Sequence, residues 1–115
     1  MFVSHRNDIE KKRQPDNNQK GVSKQILVGP AQGWEDYVMR MISLDAQGYA
    51  PLHQHPWPHI VYAVEGEGNL LLGGNNHPLR SGSTAYIPEG TEHQLSNKGE
   101  AEFVFICIVP KEGDF

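Results

Sequence analysis

"LHQHPWPHIVYAVEGEG", residues 52–68, holds three of the chain's six histidines within seven residues, at positions 53, 55 and 59. Side chains alternate between the faces of a strand, so His53 and His55 send two imidazoles out on one side. The two prolines of "PWPH" stiffen the connection that follows. His59 then opens the strand-forming run "HIVYAVE", in which His59, Val61 and Ala63 share a face. A tight connection brings that face round to the first pair. A lone histidine reads as an ordinary polar loop residue. Three that converge suit a first-row transition metal, because neutral imidazole is a ligand for Mn, Fe, Co, Ni, Cu and Zn alike.

Further along, residues 82–97 read "GSTAYIPEGTEHQLSN". Gly82, Pro88, Gly90, His93 and Asn97 resemble the second motif of the cupin superfamily, G-x5-P-x-G-x2-H-x3-N, at every defined position. Gly48, His53, His55, His59 and Gly66 resemble the first motif, G-x5-H-x-H-x3-4-E-x6-G, with one residue fewer after Gly48 and with histidine where the motif has glutamate. Fifteen residues, 67–81, separate the two motifs, a spacing that suits a compact cupin. The resemblance implies an all-β fold, a single-domain cupin built as a jelly-roll-like antiparallel β-barrel. Pro88 ends a strand and His93 begins the next, where it can point inward at the first three histidines. Asn97 fits a turn better than the metal. The metal set is thus His53, His55, His59 and His93, which resembles small tetra-histidine cupins of manganese or iron type. One divalent transition metal per chain is expected, Mn or Fe favoured, with Cu, Ni, Co or Zn open.

The rest of the chain agrees. From Gly21 onward, short apolar runs at 22–29, 37–44, 59–65, 68–73, 83–88 and 102–109 alternate with turn-forming stretches rich in Gly, Pro and Asn. No stretch of twelve residues has helical periodicity free of Gly or Pro. Residues 1–20 are polar and aperiodic and read as a flexible or docking arm, leaving 21–115 as the barrel domain. His5 lies in that arm, and "GGNNHP" reads as a turn holding His77, so both are expected to be solvated.

Charge is uneven. Residues 1–24 carry a net +3 and the remainder −7. An acidic body argues against a nucleic-acid partner, because affinity there comes from neutralising phosphates. No apolar run is long enough to span a membrane as a helix, and the opening residues lack the apolar core of a secretory signal. With Cys107 the single cysteine, a cytoplasmic setting is expected.

Two further residues are pocket candidates. Arg40 is the one charge in "YVMRMISL"; facing inward it would grip a carboxylate, facing outward it would be solvated. In "EFVFICIV" both alternating faces are apolar, so the pattern leaves open which one carries Cys107 towards the metal. Four neutral ligands leave the ion's charge uncompensated and make it a strong Lewis acid. Three functions stay open for a small-molecule substrate: an oxidoreductase of dioxygenase type, an isomerase or lyase, and a non-catalytic binding module. Apolar residues on both strand faces suggest a homodimer, with the arm crossing to the partner as one arrangement.

Overall fold

The apolar runs become nine antiparallel strands among the described residues, 1–114, of a computed structural model. They are β1 (Lys12–Arg13), β2 (Lys20–Val28), β3 (Tyr37–Tyr49), β4 (His59–Glu65), β5 (Glu67–Leu72), β6 (Asn75–Arg80), β7 (Thr84–Ile87), β8 (His93–Ser96) and β9 (Phe103–Pro110). Three single turns of 3-10 helix, Arg6–Asp8, Pro30–Gln32 and Lys111–Gly113, are the only helical segments among the described residues. The strands run β6-β5-β8-β3-β9-β4-β7 in one sheet, with β2 and then β1 added beside β3. The sheet curls into a nearly closed barrel.

Register sets what faces inward. Arg40, Ile42 and Leu44 of β3 lie opposite Cys107, Phe105 and Phe103 of β9. Val61 and Ala63 of β4 lie opposite Cys107 and Phe105. All of these except Arg40 belong to the buried apolar core. The face of β9 that the sequence left open is therefore settled, with Phe103, Phe105, Cys107 and Val109 inward.

The outer face of β2, β3 and β9 is buried as well: Ser23, Gln25, Met41, Ser43 and Val104 are all below 9% exposed. The arm is tied to part of this face. Gln25 Nε2 donates to the carbonyls of Arg6 and Ile9, at 2.7 and 3.0 Å. Arg6, Lys11 and Arg13 pair with Glu65, Glu102 and Asp45 of the barrel. These pairs are largely exposed and each contributes little; the buried Gln25 amide is the stronger tie.

Two segments differ from the sequence reading. Residues 75–80 form β6 rather than a turn, paired with β5 from Leu72↔Asn75 to Glu67↔Arg80. Pro78 is tolerated because β6 is an edge strand, where a missing N–H leaves no neighbour unpaired. His77 is thus on a strand, though still exposed. β3 also continues past Leu44 to Tyr49, across a register shift against β2. Gly66 turns β4 into β5 with φ of 78°, and a Cβ there would strike the carbonyl oxygen of Glu102.

Candidate metal centre

The backbone brings the first and second histidine stretches together. His53 N donates to His93 O at 3.1 Å and His93 N to His53 O at 2.9 Å, an isolated antiparallel bridge. Directly opposed residues put their side chains on the same face, and the two rings lie 4.8 Å apart. His55, two residues on from His53, adds a third ring 4.9 Å from each. Ligand atoms of His53, His55 and His93 all fall within 4.8 Å of one another, close enough to share one ion. His59, at the start of β4, stands beside them, its ring 4.3 Å from His55 and 5.4 Å from His93.

Hydrogen bonds set the tautomers. His55 Nδ1 lies 2.8 Å from the carbonyl of Trp57, and His93 Nδ1 lies 2.8 Å from that of Thr91. A carbonyl only accepts, so each Nδ1 carries the proton and each Nε2 presents a lone pair. The Nε2 atoms of His55, His59 and His93 are buried without a hydrogen-bond partner. A buried polar atom left so is costly. A metal ion bound by these nitrogens satisfies all three, and the bonds from Nδ1 to backbone carbonyls are the outer support typical of ligating histidine. The residues present fit a divalent transition metal.

The electrostatics of His53, His55 and His59 favour the neutral ring that ligation requires. Burial, helped by the neighbouring rings and Arg40, lowers the pKa of His59 to about 2. The same causes take His53, the most exposed of the four, to about 4. His55 is lowered by burial, partly offset by its bond to the Trp57 carbonyl.

Both pocket candidates face the centre. Arg40 and Cys107 line a cavity of about 410 Å³ together with the four histidines. Arg40 Nη2 donates to Cys107 Sγ at 3.2 Å, and that sulfur lies 3.4 Å from His59 Nδ1. The thiol is 2% exposed, and burial raises its pKa, against the pull of Arg40. Trp57 stacks on His55 with ring centroids 4.8 Å apart and planes 10° apart. Gly113 closes over it; a side chain there would meet the indole. Asn97 is buried in a turn, its Nδ2 donating to the carbonyls of Leu44, Asp45 and Ala101.

Sequence reasoning missed Lys24, Gln14 and Gln19, which line the same cavity. Lys24 had a signal like that of Arg40, a charge between inward-facing Val22 and Ile26 on β2. The arm residues had none, because a polar aperiodic stretch does not reveal what it lies against.

Solved structures of similar shape include the polyketide cyclase RemF of Streptomyces resistomycificus, at a TM-score of 0.89 and 24% identity over 96% of this chain and 79% of that one. A predicted oxalate decarboxylase of Thermotoga maritima aligns at a TM-score of 0.85 and 22% identity, covering 95% and 98%. At these identities the likeness is one of fold. In sequence, the chain is 34% identical over 58 residues to a glucose-6-phosphate isomerase of Thermococcus onnurineus, 46% of this chain and 31% of that protein. The chain spans less than half the length of the curated relatives it matches. The family model for the cupin domain matches residues 40–109, which hold every histidine of the centre and five of the nine strands in full, so the chain belongs to the cupin family.

Proposed function

We propose that the chain is a metal-dependent cupin acting on a small molecule, with one divalent transition metal, Mn or Fe, held by His53, His55, His59 and His93. The observation that carries this is the set of three buried Nε2 atoms without partners beside one cavity. Such an ion, with four neutral ligands, keeps its full charge and acts as a Lewis acid towards an anionic substrate. Around it Ile42, Leu95 and Phe105 supply an apolar wall that limits water. His55 and His93 are oriented by their carbonyl partners, and Cys107 and Arg40 back His59.

The reaction class proposed is oxidation of dioxygenase type. No carboxylate is among the described residues that line the cavity. Proton abstraction, which isomerisation requires, would fall to Lys24, to the Cys107 thiol, whose pKa burial raises, or to histidines committed to the metal. That supports oxidation over the second reading, an isomerase or lyase, which the sequence likeness to a glucose-6-phosphate isomerase favours. Elemental analysis of untagged protein, followed by oxygen uptake against a panel of small acids and phenols, tests the proposal. Stoichiometric metal with oxygen uptake supports it. Turnover without oxygen consumption moves the chain to the second reading, and binding without turnover to a non-catalytic module. The proposal extends to a homodimer packed through the outer face of β4 and β7, where Ile60, Tyr62 and Tyr86 are 50%, 48% and 61% exposed.

A further inference from the structure

The cavity wall beside the histidines carries two cations. Lys24 and Arg40 both line it, and their side chains are only 13% and 12% exposed. They share one carboxylate. Asp114 Oδ1 lies 3.1 Å from Lys24 Nζ and 3.7 Å from Arg40 Nη1.

The guanidinium is poorly served by these contacts. Its Nη2 donates to a sulfur, Cys107 Sγ, which is a weak acceptor. Its Nη1 reaches Asp114 only at 3.7 Å, beyond a hydrogen bond. Its Nε is buried with no partner. A guanidinium fork is built to hold a carboxylate through two parallel N–H bonds, and among the described residues no oxygen takes that place.

We infer that Arg40 and Lys24 form the carboxylate-binding subsite of this cavity, and that Asp114 is its resident counter-ion, displaced when a small carboxylate ligand binds. The inference deepens the reading of the cavity as a small-molecule site and names its substrate class. Asp114 follows the Lys111–Gly113 turn, is 25% exposed, and meets both cations that line the cavity, so an incoming carboxylate competes with it for them. That the group both cations meet, Asp114, is a carboxylate favours this class over a phosphate.

The test uses malonate and inorganic phosphate as probes, with binding measured by calorimetry on metal-loaded and on chelator-treated protein. Asp114→Asn removes the competitor and is expected to tighten malonate binding about tenfold. Arg40→Lys keeps the charge but loses the fork and is expected to weaken it at least tenfold. Metal content, measured in parallel, is expected to stay unchanged in both variants. Native-like malonate affinity in both, or weaker binding in Asp114→Asn, overturns the inference, as does phosphate binding more tightly than malonate. The chelator-treated arm separates the two readings. If no variant or native protein holds metal, the metal centre fails, yet the Asp114→Asn gain in metal-free protein still supports the subsite.

Discussion

Acid should unfold the metal-free protein through His59, and the size of the effect follows from its burial. The ring is 6% exposed, and its pKa in the folded chain is lowered to about 2, against about 6.5 when unfolded. The unfolded state therefore binds a proton that the folded state refuses. Stability is fully present above pH 6.5 and is lost as pH falls below it, at about 1.4 kcal/mol per pH unit until the folded value is reached. From pH 6.5 to 5 that is about 2 kcal/mol, or roughly 6–10 °C in melting temperature for a domain of this size. His53 titrates in the same direction, but it is more than a third exposed and solvent screening shrinks its share. Bound metal holds the rings neutral, so the loaded protein starts higher and falls more steeply once protons displace the ion. Urea unfolding at pH 7, 6 and 5 in chelator measures the slope, with His59→Gln as the variant that cannot titrate. The variant's slope should be shallower by about 1.4 kcal/mol per pH unit. Equal slopes in the two proteins would refute the reasoning.

His59→Glu should fold and retain a divalent ion, since the cupin motif has glutamate at this position, while anion affinity falls with the site's charge; His93→Ala should lose metal affinity itself. Stoichiometric metal in both His59→Ala and His93→Ala would remove the four-histidine assignment. Cys107 faces the cavity against Arg40 and His59. During turnover with oxygen it should oxidise to sulfenic or sulfinic acid ahead of the fully exposed Met1, which mass spectrometry reads directly. Light scattering at micromolar concentration should give twice the 12.9 kDa of one chain, and Tyr86→Glu on the exposed outer face should shift it towards monomer; a native monomer would contradict the dimer.

The histidine-bearing parts of the fold were the most legible in the sequence. The run read as 59–65 is β4 to the residue, because an apolar strand between two prolines and a glycine has only one extent. The start of β8 at His93 was equally plain from the turn before it. β6 was hidden, since an edge strand facing solvent is written in polar residues and tolerates proline. The inward face of β9 was hidden for the opposite reason. Its outer face carries buried Val104 and half-buried Ile106 and Ile108, so both faces are apolar and alternation vanished. At the site, the histidines and their spacing were visible, whereas Lys24 and Asp114 depended on strand register and on the path of the C-terminal turn, which no local pattern records.

The stacking of Trp57 on His55 has a spectroscopic consequence. An indole lying nearly parallel to an imidazole of the proposed metal centre would share the electric field of whatever that imidazole binds, so its emission is a built-in gauge of site occupancy. The other tryptophan, Trp34, packs beside Tyr37 outside the cavity lining and is expected to give a constant background. In Trp34→Phe, fluorescence should therefore move in step with added metal, and Trp57→Phe should be blind to it. Paramagnetic Mn and Fe quench nearby emitters far more strongly than closed-shell Zn does, so the depth of the change would also distinguish the ions by their electrons.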